Sequence, residues 1–154
     1  MTVKELQTSE VKSCGRDTDL ATVAKMMWDG DCGAVPVVNE ERKVIGIITD
    51  RDICIAAATR FRTPSEIRAG EVITENGGVH SVKPDDDVRV ALRTMRKHRV
   101  RRLPVVDQQQ RLRGMLSIND LAINTSSTLP NSVSAQEFLE TLQAICAHEK
   151  HAVA

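Results

Sequence analysis

The chain has 154 residues, 41% hydrophobic and 27% charged, the ordinary mix of a soluble globular protein. Its 21 Lys and Arg balance 21 Asp and Glu, so no global field draws it to nucleic acid or an acidic partner. One Trp, two Phe and no Tyr leave the core to aliphatic side chains and exclude an aromatic platform for single strands. Cys14, Cys32, Cys54 and Cys146 show neither CxxC nor zinc spacing, which points to reduced thiols packed as small hydrophobes in a cytosol. The start, Met1 to Leu6, lacks the apolar stretch of a signal peptide, and no run approaches the roughly 20 apolar residues of a membrane span. A cytoplasmic protein is expected.

Val3-Lys4-Glu5-Leu6-Gln7-Thr8 reads as an extended lead-in. Asp17-Thr18-Asp19 then opens a helix with Leu20, Val23, Ala24 and Met27 at helical spacing, its acidic start suited to capping and the macrodipole. Ala34-Val35-Pro36-Val37-Val38 and Val44 to Thr49 are short apolar runs around the polar turn 39–43, a predicted strand pair. Pro36 cannot donate to a ladder and belongs at an edge or a strand start. After Thr49 the pattern is helical through Ile53, Ala56 and Ala57. Thr59 to Arg68 reads as a linker broken by Pro64.

The same series then returns. A second lead-in, Ala69-Gly70-Glu71-Val72-Ile73-Thr74, matches the first at an offset of 66 residues. Two extra residues, assigned to Gly77-Gly78, raise the offset to 68 for everything that follows. Asp85-Asp86-Asp87 opens a helix with Val88, Ala91, Leu92 and Met95; Arg102 to Val106 and Leu112 to Ser117 are strands; Asp120, Leu121 and Ile123 begin the closing helix. Pro36-Val37-Val38 falls on Pro104-Val105-Val106, and Gly46-Ile47-Ile48-Thr49-Asp50-Arg51-Asp52-Ile53 on Gly114-Met115-Leu116-Ser117-Ile118-Asn119-Asp120-Leu121. Two copies are too few for a solenoid, so the expectation is a tandem pair of small domains burying their sheets against one another. Beyond a Ser/Thr-rich loop at 125–131, Ser134-Ala135-Gln136-Glu137 is a capping box ahead of a helix striped by Phe138, Leu142, Ile145 and Cys146. That stripe needs a surface, on this chain or on a partner.

Each copy ends on a hydroxyl and a carboxylate: Thr49-x-x-Asp52 and Ser117-x-x-Asp120. Capping alone explains both pairs at a strand-to-helix junction. They are also what a polyhydroxylated ligand requires, since a carboxylate accepts from two hydroxyls at once with charge assistance. The halves differ before each Pro, where Arg101-Arg102-Leu103 stands against Gly33-Ala34-Val35. From Arg89 to Arg102 the chain carries eight basic residues or histidines and no acid, either a solvated helix face or an anion-binding patch. No nucleophile–base pair, phosphate loop, metal set or shared acid pair is present, so catalysis is not expected. His80, His98, His148 and His151 are scattered, and no metal site is expected.

The ordered set, repeated at one spacing, resembles a CBS-domain pair, or Bateman module, over about residues 3–125. The stretches Cys14-Gly15-Arg16-Asp17, Gly33 to Val38 and Ile48 to Ile53 look most like free-standing bacterial members. The resemblance implies an α+β fold: tandem CBS domains, two helix-strand-strand-helix units packed with pseudo-two-fold symmetry, plus a C-terminal helix. The domains would be 3–60 and 69–125, with a linker at 61–68 and a helical extension at 132–150. It implies two clefts for adenosine-containing ligands, of which AMP, ADP, ATP, S-adenosylmethionine and NAD are candidates; no cofactor is required. Thr49 and Asp52 would serve one cleft, Ser117 and Asp120 the other, each pair beside a helix N-terminus with N–H groups free for phosphate. Arg101 and Arg102 would face phosphates, while Gly33 and Ala34 would leave room for adenine, with Lys12 and Arg16 as weaker charges in the first copy. The expected protein is a regulatory sensor that homodimerises through the helices opening at Asp17 and Asp85, or acts on a separate effector protein. The alternatives are an interaction scaffold with empty clefts and, less favoured, nucleic-acid binding through the 89–102 stretch.

Overall fold

The computed structural model describes residues 1–73, 78–125 and 132–147. Asp19, held extended at φ −74°, accepts the Thr22 N–H at 2.9 Å and starts α1 (Leu20–Asp29). β1 (Ala34–Val38) and β2 (Val44–Thr49) pair antiparallel, Ala34 opposite Thr49 and Val37 opposite Gly46. Asn39 Oδ1 closes their turn by accepting the N–H groups of Glu41 and Lys43 at 3.0 and 2.9 Å. α2 (Asp50–Thr59) follows without a gap. The second copy gives α3 (Val88–His98), β3 (Arg102–Val106), β4 (Leu112–Ser117) and α4 (Ile118–Ile123), the last only six residues long. α5 (Ala135–Cys146) is the C-terminal helix. Every strand lies in a two-stranded sheet, which accommodates Pro36 and Pro104 in mid-strand. Their carbonyls accept the N–H groups of Cys14 and Val82 at 3.0 and 3.1 Å.

In space the chain forms two compact units that cut across the repeat. The first contains Glu10–Val79 and the β3–β4 turn, Val106–Arg113. The second contains Met1–Ser9, His80–Val105 and the chain from Gly114 onward. In the first unit Leu20, Val23, Val35, Val37, Ile48, Ile67 and Ala69 make the core. In the second Val3, Val88, Met95, Leu103, Leu116 and Leu121 do so. Each fully buried aliphatic chain contributes about 1.5–3 kcal/mol.

Residues 61–68 separate the copies along the chain, yet in space they belong to the first unit. Ile67 is fully buried and its carbonyl accepts the Leu20 N–H at 3.0 Å, behind a 3-10 turn at Pro64–Glu66. The lead-in at residues 1–9, in turn, serves the second unit. Thr8 and Met115 exchange N–H···O bonds of 2.9 and 3.0 Å, and Val3 donates to the Asp86 carbonyl at 2.9 Å. The free edge of β4 thereby gains a partner that local sequence cannot assign to either copy.

α5 packs on α3 within the second unit. Arg89 Nε donates to Glu137 Oε1 at 2.7 Å and Arg96 Nη2 to Glu140 Oε2 at 2.9 Å, over buried Thr141 and Ile145. Of the cysteines only Cys14 is buried, and burial pushes its thiol up to about 11. Cys32, Cys54 and Cys146 are exposed, against expectation: Cys54 and Cys146 fall on solvent faces of α2 and α5, and Cys32 in the loop after α1.

Candidate functional site

At the β2–α2 junction Thr49 is the N-cap and Asp52 the third helical residue. The Thr49 N–H and hydroxyl both donate to Asp52 Oδ2 at 2.8 Å, and the Asp52 N–H returns a 3.2 Å bond to Thr49 Oγ1. The β4–α4 junction repeats this. Ser117 N–H and hydroxyl donate to Asp120 Oδ2 at 2.7 and 2.6 Å, and the Asp120 N–H donates to Ser117 Oγ at 3.2 Å. Both pairs are therefore complete capping boxes. In each box the two bonds to the carboxylate use Oδ2, and among the described residues Oδ1 of Asp52 and of Asp120 has no partner.

The residues preceding each proline lie against the same junctions. In the first unit the Asp50 N–H donates to the Gly33 carbonyl at 3.2 Å, and Ala34 stands opposite Thr49. In the second the Ile118 N–H donates to the Arg101 carbonyl at 2.8 Å, with Arg102 next along β3. Each unit thus assembles four of the eight predicted residues: Gly33, Ala34, Thr49 and Asp52 in one, Arg101, Arg102, Ser117 and Asp120 in the other.

One expectation is corrected here. The first three N–H groups of α2 are already engaged, Asp50 by Gly33 O, Arg51 by Asp50 Oδ1 at 2.8 Å and Asp52 by Thr49 Oγ1. At α4 the first and third are likewise taken, by Arg101 O and Ser117 Oγ. The helix termini are not open donor cradles, because the strand before and the cap itself satisfy them. Anion affinity falls instead to side chains. Among the described residues the guanidinium groups of Arg101 and Arg102 make no ion pair, whereas Arg89 and Arg96 are bound to α5. His98, at the end of α3, stacks on His80 with ring centroids 3.4 Å apart; burial holds its pKa below the usual imidazole value, with help from the neighbouring His80 and Lys97.

Away from these junctions, an open depression at the turn end of the β1–β2 hairpin is lined by Glu41, Lys43, Gln109 and Arg111. Its cations are already paired, Lys43 with Glu41 and Arg111 with Asp107. Gln7 escaped the reading of the sequence. It lies over Gly114, and its amide oxygen is buried with no hydrogen-bond partner among the described residues. Comparing the two lead-ins, Gln7 against Ile73, was the signal available. Among the described residues no three His, Cys, Asp or Glu side chains converge as metal ligands, and no helix is long and apolar enough to cross a membrane.

Comparison with known proteins agrees with this architecture. The sequence model of the CBS domain matches residues 3–59 and 69–124. The chain is 33% identical over 129 residues to CBS domain-containing protein YhcV of Bacillus subtilis, covering 81% of this chain and 86% of that one. Among solved structures it resembles Hypoxic Response Protein I with two coordinated zinc ions, at 28% identity and a TM-score of 0.72, covering 84% of this chain and all of that one. It also resembles the CBS domain pair of protein MJ0100 in complex with 5′-methylthioadenosine and S-adenosyl-L-methionine. There the identity is 26% and the TM-score 0.70, with 80% of this chain and 98% of that one covered.

Proposed function

The chain belongs to the CBS-domain family, and we propose that it is a regulatory module whose two capped junctions bind an adenosine-containing ligand. The observation that carries this reading is the division of labour within each aspartate. Oδ2 of Asp52 and of Asp120 closes its capping box, and Oδ1 is left to accept ribose hydroxyls. Support also comes from the adenosyl ligands held by the similar MJ0100 pair. Ser117 and Asp120 hold the ribose in the second unit while Arg101 and Arg102 neutralise phosphate or carboxylate groups, a task suited to their permanently charged forks. In the first unit Thr49 and Asp52 take the ribose, and Gly33 and Ala34 leave space beside it for the base. AMP, ADP, ATP, S-adenosylmethionine and NAD all present the required diol.

Binding regulates only if the ligand prefers one of two arrangements of the protein. Self-association is the proposed output, through α1, whose Trp28 is 86% exposed; an effector protein is the other route. A specific observation favours a second reading, a scaffold without ligand: both capping boxes are complete as they stand. Thermal unfolding against the five ligands separates the two, with Asp52→Ala and Asp120→Ala beside the wild type. A ligand at about 100 times its Kd adds roughly 2.7 kcal/mol and raises Tm. A saturable rise abolished by one substitution identifies the occupied junction. A folded wild type indifferent to all five ligands supports the scaffold.

A further inference from the structure

Helices α1 and α3 are equivalent in the repeat, 68 residues apart, but they end up with different outer faces. On α3 the stripe Arg89, Leu92 and Arg96 serves α5. Leu92 is buried in one cluster with Val133 and Ile145, and the two arginines hold Glu137 and Glu140. The equivalent positions on α1 are Ala21, Ala24 and Trp28. Ala21 and Trp28 are exposed and Ala24 is half-buried. An apolar stripe at i, i+3 and i+7 therefore stands open on α1 where α3 is sealed by a helix. A helix like α5 does not fit it, because Ala21 and Trp28 offer Glu137 and Glu140 no cation. A second copy of α1 does. Its small residues lie seven positions, about 10 Å, from its large one. An antiparallel two-fold crossing thus sets each Trp28 over the alanines of the other copy. Lys25 and Asp29, 2.9 Å apart, bring one charge of each sign beside Trp28, so the patch is electrostatically complementary to itself.

We propose that the chain pairs through the Ala21–Ala24–Trp28 face of α1 alone, and that α5, by filling the equivalent face of α3, stops assembly at two copies. The assignment rests on the self-association reading above and names its surface. A two-fold contact uses the same patch on both copies and leaves none for a third. Each unit carries one such face, and α5 is the occupant of the second unit's. The helix opening at Asp85, expected to share the contact, has that face already covered. A buried Trp is also the side chain on which a small interface most depends.

Trp28 is the only Trp and the chain has no Tyr, so its fluorescence reports on this face without interference. Sedimentation equilibrium and acrylamide quenching of the full chain, with and without the five ligands, test the proposal. The mass should reach twice the 17.0 kDa of one chain and go no higher, with Trp28 shielded from the quencher in the pair. Trp28→Arg, which gives α1 the residue α3 carries, alters an exposed position and should stay at 17.0 kDa where the wild type is paired. A pair whose Trp28 remains fully quenchable, or that survives Trp28→Arg, overturns the assignment and moves the contact elsewhere while self-association stands. Species larger than two copies overturn the role given to α5. A wild type that stays at 17.0 kDa under every condition overturns the self-association reading itself, and this assignment with it.

Discussion

A capping box normally consumes a side chain, and Asp52 and Asp120 spend only half of theirs. Removing either carboxylate by substitution with Ala strands the N-cap N–H and should cost about 1 kcal/mol, or about 2–4 °C in Tm for a chain of this size, before any ligand is added. Differential scanning calorimetry of the ligand-free variants measures that baseline. Gly114→Ala should cost more, about 1–3 kcal/mol, since the new Cβ would stand 2.7 Å from the Thr8 carbonyl oxygen, a backbone atom fixed in its pairing with Met115. Chemical denaturation should show its midpoint lowered with the slope unchanged. The capping pairs were legible because their spacing is local. The committed N–H groups of α2 were not, since the Gly33 carbonyl that occupies one of them lies 17 residues away in sequence.

At the scale of elements, the strand limits followed from short apolar runs and the polar turns between them, and α1 and α3 from their acidic starts. The seat of α5 did not, because an apolar stripe specifies a need for cover and not its source. Its ion pairs with α3 make that contact sensitive to pH. The Arg89 guanidinium, then the Ser134 N–H, holds the Glu137 carboxyl down to about 2, against an ordinary value of 4.5. A depressed carboxyl contributes its stabilisation above the unfolded value and loses it as pH falls towards the folded one. The contact should therefore weaken between about pH 4.5 and 2, with solvent screening limiting the effect at this half-exposed pair. The protection factors of the α5 amides, which take out the intrinsic slowing of exchange in acid, should fall over that window. Glu137→Gln should show faster exchange already at neutral pH. The same pairing removes Arg89 and Arg96 from the basic stretch, which weakens the case for nucleic acid there.

For the molecule as a whole, the repeat gave a correct family and the helices and strands of both copies, while the lead-ins expected to be extended hold 3-10 turns at Val3–Glu5 and Ala69–Glu71. A repeat along the chain, moreover, need not be a unit in space. Val3, in the first lead-in, is fully buried in the second unit, while Ile67 and Ala69, beyond the first copy's last helix, are fully buried in the first. Cutting between the copies therefore breaks both cores. Fragments 1–60 and 69–154, expressed separately, should each show poor dispersion in amide NMR spectra. A version divided at residue 78 retains Ile67, Ala69 and Ile73 with the first unit and should keep more structure in that half. Well-folded 1–60 would show that the lead-in exchange is dispensable.

The pairing of Thr8 with Met115 also sets an order of events during synthesis. The lead-in is made early, but the strand that receives it leaves the ribosome more than a hundred residues later, at common elongation rates roughly 5–20 s afterwards. Through that interval Val3 and Leu6 have no core to enter, and the nascent chain presents them to solvent or to a chaperone. The second unit can close only once β4 has emerged, so its folding in the cell is governed by how long the lead-in is kept from aggregating until then.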